Sequence, residues 1–154
     1  MSENHYHKQI RVAASPAEAY RAITKEMASW WTEPQGDLSE VGGVAKFTFP
    51  PQKSYWTFKT TALAPNERVE LECVDAYHIL TDKPESSTTE WLGTKLVFTL
   101  IPTGQGTTIE FDHIGLAPEL DCYDVCEKGW DFFFAGSLAA YLNNGVGMPH
   151  TAAG

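Results

Sequence analysis

The chain is short of positive charge: 11 lysines and arginines stand against 20 acids, a formal net charge of −9. That balance repels phosphate backbones and anionic lipid, and the few basic residues do not cluster. Nucleic acid and membrane surfaces are therefore excluded as expected partners. Long hydrophobic runs are missing too. Uninterrupted ones such as Phe132–Ala135 and Leu138–Leu142 reach at most five residues, against the ~18 residues a membrane span needs. The opening MSENHYHKQI has no apolar signal region, so a cytoplasmic rather than a secreted protein is expected. Cysteine is scarce and odd in number (Cys73, Cys122 and Cys126), which fits reduced thiols. A nucleophile elbow and a glycine-rich phosphate loop are both absent. Cys122 and Cys126 lie four apart, but no second Cys/His pair has the spacing of a zinc site. No metal and no other cofactor is expected.

What is present is apolar and aromatic. Hydrophobic residues make up 43% of the 154, with five Trp, six Tyr and eight Phe. That is enough for one core and too little for two, so residues 1–154 read as one domain. The first strand runs over roughly His5–Ala13, with Tyr6, Lys8, Ile10 and Val12 on one face and His5, His7, Gln9 and Arg11 on the other. Ser15-Pro16-Ala17-Glu18 then reads as a capping box with a proline start. The helix it opens breaks near Trp30-Trp31. Residues 32–43, with Pro34, Gly36 and Gly42-Gly43, read as a loop.

Period-two alternation follows in five further stretches. Ala45, Phe47 and Phe49 form one dry face; Trp56, Phe58 and Thr60 another; then Val69, Leu71 and Cys73; Leu96, Phe98 and Leu100; and Ile109, Phe111 and His113. Such alternation means antiparallel strands with one wet face. Glu110 and Asp112 fall on the wet side, as a solvated pair rather than catalytic carboxylates. Residues 75–90 are polar and read as a long loop. The last element is a long helix from about Glu119 or Asp121 to Asn144, stopped by Gly145 and followed by Pro149. Its apolar stripe is Tyr123, Cys126, Trp130, Phe133, Phe134, Ser137, Leu138 and Tyr141. Phe132 lies roughly 100° off that stripe. Another element or a second subunit is expected to cover it, so a homodimer is a secondary expectation.

These strings resemble a known superfamily. EWLGTKLVFTLIPTGQGTTIEFDHIGL (Glu90–Leu116) and GWDFFFAGSLAAYLNNGVGMP (Gly129–Pro149) are similar to the sheet and final helix of the START-like superfamily. Within it they match the bacterial homologs of the activator of heat-shock protein 90 ATPase. ASPAEAYRAIT (Ala14–Thr24) and WWTEPQGDLSEVGGVAKFTF (Trp30–Phe49) match the opening of the same branch. The resemblance implies an α+β helix-grip fold. In it a curved antiparallel sheet of about six strands wraps around a long C-terminal helix, with two short helices after strand 1. The fold hosts carriers, receptors, cyclases and co-chaperones.

One helix is about 10–12 Å across and cannot fill the mouth of a wide curved sheet. Large side chains plug the gap, or a cavity remains. The expected function is accordingly binding of a small apolar or aromatic molecule between sheet and helix. The expected ligand-binding residues are Trp31, Phe47, Phe49, Trp56, Phe58, Trp91, Phe98, Phe111, His113, Trp130 and Phe134. His113 has two readings: an anchor or general base for a ligand, or a core histidine bonded to a backbone carbonyl, Ser137 or Tyr141. The first would suit a cyclase, dehydratase or hydrolase. A co-chaperone that contacts a chaperone is the other alternative, implied by the resemblance. The sequence leans away from an enzyme, since it supplies no second acid on the dry face.

Overall fold

The computed structural model describes residues 6–32, 34–48, 55–77, 92–116 and 123–148. Phe49, Trp91, His5, Cys122, Pro149 and the stretch 78–90 lie outside them, as does the expected helix start at 119–121. The elements run β1 (Tyr6–Val12), α1 (Pro16–Lys25), a 3-10 turn (Met27–Ser29), β2 (Pro34–Gly36), β3 (Val44–Thr48), β4 (Tyr55–Ala64), β5 (Arg68–Tyr77), β6 (Lys95–Thr103), β7 (Gly106–Ile114), α2 (Tyr123–Trp130), a π-helical segment (Asp131–Leu138) and α3 (Ala139–Asn144). The strands form one antiparallel sheet in the order β1-β7-β6-β5-β4-β3-β2. This is the expected α+β helix-grip fold, a curved open sheet closed by a C-terminal helix.

The sheet has seven strands where about six were expected. The extra one is β2, three residues read as loop because Pro34 and Gly36 punctuate it. Proline can open a strand at a sheet edge, where no neighbour needs its missing N–H, and β2 is the edge beyond β3. The expected loop 75–90 also begins late, because β5 continues to Tyr77 and pairs with Tyr55.

α1 starts as its sequence dictates. The Ser15 hydroxyl accepts from the Glu18 N–H, and the Glu18 carboxylate accepts from the Ser15 N–H. Ala19, Ala22 and Ile23 are its buried face. At the other end, Gly145 takes φ 85° and its N–H bonds Tyr141, a left-handed stop that favours glycine. The tail then folds back. The Met148 N–H donates to Ser137 Oγ at 2.6 Å. Gly147 lies so close to the Ser29 carbonyl oxygen that a Cβ there would collide with it.

The core lies between the concave face of the sheet and the helical layer. Tyr6, Phe47, Phe58, Leu71, Phe98, Ile109 and Phe111 face inward from the strands, and Trp130, Phe134 and Leu138 face them from the terminal helix. Burying each such side chain stabilises the fold by about 1.5–3 kcal/mol. On the outer face, Asp112 receives His7 Nδ1 at 2.7 Å, so Glu110 and Asp112 belong to the wet side as read from their parity.

Candidate functional site

The inward residues of neighbouring strands sit side by side because the registers put them there. Phe47 pairs with Trp56, Ala45 with Phe58, and Phe98 with Phe111. The result is a continuous column of rings. Trp31 lies 4.6 Å from Phe47 and 5.1 Å from Trp130, centroid to centroid. Trp130 meets Phe111 edge-on at 4.7 Å, and Phe111 stacks on Phe98 at 4.7 Å. Phe134 closes the far end against Phe111 at 5.0 Å, and Phe58 flanks Trp31 at 6.2 Å. Trp56 is buried on β4. Of the eleven residues expected at the site, seven (Trp31, Phe47, Phe58, Phe98, Phe111, Trp130 and Phe134) are thus brought into mutual contact. Such ring pairs each add ~0.5–1.5 kcal/mol beyond their burial.

His113 sits beside the middle of the column, edge-on to Trp130 at 6.0 Å, and is fully buried. The Trp130 indole N–H donates to His113 Nδ1 at 3.0 Å, and His113 Nε2 lies 2.9 Å from Thr94 Oγ1. An indole nitrogen is a donor only, so Nδ1 must be the accepting nitrogen. Nε2 therefore carries the proton and donates to Thr94. The imidazole is held in one neutral tautomer by two protein groups. The expected core partners were a carbonyl, Ser137 or Tyr141; the partners found are Trp130 and Thr94. Ser137 instead holds the returning tail. Thr94 went unremarked in the sequence, where it is one threonine in a polar turn after Gly93.

Among the described residues, three hollows stand out, and one reaches the column. It has a volume of about 240 Å³ and lies between the end of α1, the 3-10 turn and the β2–β3 edge. Its floor is Met27, Leu38, Ala45 and Phe47, all buried, and its rim carries Thr24, Lys25, Asp37 and Ser39. Phe47, which meets Trp31 and has no exposed surface, is the residue shared by the column and the lining of the hollow. Asp37 Oδ1 accepts from both the hydroxyl (2.6 Å) and the N–H (2.9 Å) of Ser39. These bonds, helped by the Lys25 charge, hold its carboxyl below the usual range. The sequence read this stretch as plain loop. An aspartate two residues before a serine is the local signal of an Asx turn, and it escaped notice. The other two hollows lie on the surface, one of about 790 Å³ beside the start of α1 and the β4–β5 turn, the other of about 700 Å³ beside the β6–β7 turn.

Comparison with known proteins places the chain. The profile of the family described as "Activator of Hsp90 ATPase homolog 1-like protein" matches residues 13–143. Among solved structures, the Aha1 dimer from Colwellia psychrerythraea is 27% identical, with a TM-score of 0.68, over 92% of this chain and 97% of that one. Protein MLL2253 from Mesorhizobium loti has a TM-score of 0.72 at 20% identity, over 89% and 95% of the two chains. DynU16, a protein of the dynemicin biosynthetic locus, has a TM-score of 0.71 at 17% identity, over 95% of this chain and 49% of that one. The last two show likeness of fold alone. No curated protein matches the sequence.

Proposed function

The chain belongs to the Activator of Hsp90 ATPase homolog 1-like family, and on that footing we propose that it binds a small apolar or aromatic molecule where the ring column ends at Phe47. The supporting observation is the hollow of about 240 Å³ with a buried apolar floor and a polar rim, the usual composition of a small-molecule site. Phe47 is fully buried at the floor, so the ligand meets it as the rim opens, and Trp31 senses it through Phe47. Phe58, Phe98, Phe111, His113, Trp130 and Phe134 form the rigid wall behind them. With both His113 nitrogens engaged by protein, binding rather than acid–base catalysis is the better reading. A cytoplasmic setting goes with it.

Titration with benzyl alcohol, followed by NMR at the Leu38 and Ala45 methyls and the Phe47 ring, tests the proposal. Saturable shifts confined to these residues are expected. Shifts scattered over the surface, or none up to the solubility limit, would sink it.

A second reading, an interaction module, is favoured by a separate observation. Phe132 is 49% exposed on the helix, and the Met148 side chain lies near Gly136 on the next turn. The solved Aha1 protein from Colwellia is a dimer, and the Phe132 face is where a second copy of this chain would sit. Contact with a chaperone of the Hsp90 type is tested by pull-down with the purified chaperone at low and moderate salt. Absence of a complex at both would remove that partner.

A further inference from the structure

The sequence holds one Asn-Gly pair, Asn144-Gly145, and no Asp-Gly. The pair sits where α3 stops. Both residues are exposed, and open space surrounds Gly145 where a side chain would be. The preceding Asn143 is engaged, since its Oδ1 accepts from the Ala13 N–H at 2.7 Å. The Asn144 amide has no such partner among the described residues. An asparagine before glycine is open to attack by the next main-chain nitrogen, because glycine has no Cβ to shield it and bends freely.

Two bonds restrain that nitrogen. The Gly145 N–H donates to the Tyr141 carbonyl at 2.8 Å, the cap of α3. Three residues on, the Met148 N–H donates to the buried Ser137 Oγ at 2.6 Å, and Gly147 is seated against the Ser29 carbonyl. Bringing the Gly145 nitrogen onto the Asn144 side chain swings the main chain between them. The cap bond must open and the tail must leave its seat. Chain ends open at little cost in free energy, so the restraint slows the attack and does not forbid it.

We propose that Asn144 is a site of spontaneous covalent change, timed by the cap of α3 and the seated tail. The Gly145 nitrogen forms a bond to Asn144 Cγ, the Cγ–Nδ2 bond breaks, and ammonia leaves with the proton of the Gly145 N–H. A five-membered imide remains. Water then opens one of its two ring C–N bonds. Opening at Cγ gives aspartate. Opening at the main-chain carbonyl gives isoaspartate, in which the chain runs through the former side chain. One water is consumed for each ammonia released, and nothing is oxidised or reduced. Either product adds a negative charge to a chain already at −9, at the helix end that disfavours it. Isoaspartate also lengthens the main chain by one carbon. The left-handed stop at Gly145, φ 85°, and the seat of Gly147 then no longer line up, and the tail leaves Ser137 and Ser29.

The test incubates the full chain at mildly alkaline pH beside the peptide LNNGVGM. Isoaspartate is counted by methyl transfer with an isoaspartyl methyltransferase and placed by peptide mapping. An ordinary hydrogen bond slows opening about fivefold, so cap and tail together should leave the chain about thirtyfold slower than the peptide. Ser137→Ala removes the tail bond and should react about fivefold faster than wild type. Gly147→Ala, which unseats the tail at another residue, should do the same, with near-ultraviolet circular dichroism checking that both variants keep their aromatic packing. Asn144→Gln should form no isoaspartate there. In the converted protein, amide exchange at Met148 should be faster than in the fresh chain. Conversion at the peptide rate, or variants no faster than wild type, would overturn the timing by the tail. An intact Asn144 where the peptide converts would overturn the site itself. Unchanged exchange at Met148 would overturn the release.

Discussion

Thr94, His113 and Trp130 form a small polar chain within an apolar interior, and each link depends on the next. The Trp130 N–H needs an acceptor, His113 Nδ1 supplies it, and the imidazole proton then needs Thr94. Replacing Thr94 with Val keeps the shape and removes the acceptor. The expected cost is about 1–3 kcal/mol, the desolvation penalty of a buried donor left unmade, read as a lower urea midpoint at unchanged slope. An unchanged midpoint would mean that the imidazole is satisfied elsewhere. Cys73 gives a second residue-scale prediction. Burial, reinforced by the neighbouring Asp75 and Glu72 charges, pushes its thiol up to about 12. A raised value favours the neutral form. Its contribution to stability is therefore complete below the unfolded thiol's ~8.5 and is lost as pH rises toward 12. In a Cys122→Ser/Cys126→Ser background, iodoacetamide at pH 8.5 should label Cys73 far more slowly than glutathione until denaturant is added. Labelling at the glutathione rate in the native protein would contradict this. His113 shows how much of the site was legible. Its inward direction followed from strand parity. Its partners did not, because they come from the turn before β6 and from the terminal helix, and no local pattern ties those segments together.

At the scale of elements, local chemistry was readable wherever one interaction dominates. The α1 start rests on four consecutive residues, and the end of α3 on one glycine, so both were visible. Ser15→Ala should cost about 1 kcal/mol, as a drop in denaturation midpoint. Gly147→Ala should lower it further, because the new methyl meets the fixed Ser29 carbonyl. If Gly147→Ala matches wild type, the tail does not pack where it is seen. Two elements were illegible for opposite reasons. β2 is held only by the register Pro34–Phe47, Gln35–Lys46 and Gly36–Ala45, and its own residues argue against a strand. The π-helical turn of Asp131–Leu138 keeps the three-and-four spacing of its buried residues, so the stripe reads as ordinary α-helix. What holds it is tertiary: Asp131 accepts from the Tyr6 hydroxyl at 2.7 Å and meets Lys8 Nζ at 3.2 Å. Both partners lie on β1, more than a hundred residues away.

For the molecule as a whole, the sheet, its antiparallel pairing and its aromatic inner face were all foreseeable, because period two fixes which side chains turn inward. Whether the gap is filled or hollow was not, because that depends on how rings from four strands, the terminal helical elements and the Trp31 turn meet. The exposed face around Phe132 carries the remaining prediction. Two copies, each of net charge −9, repel, and salt screens that repulsion. Association through an apolar face should therefore strengthen as sodium chloride rises. Phe132→Ser should leave a monomer at every salt concentration in sedimentation velocity. A dimer that persists in that variant would move the interface elsewhere.

The β1–β7 pairing has a further consequence, during synthesis. Of the described strands β1 is made first, and among them its partner in the sheet is β7, where Tyr6 lies opposite His113 and Val12 opposite Thr107. At 5–20 residues per second, β1 waits on the order of 5–20 s for a partner to exist. The closing of the sheet at β1 thus waits until β7 is made, and a nascent chain arrested before Gly106 would leave β1 and β6 without the strand that joins them.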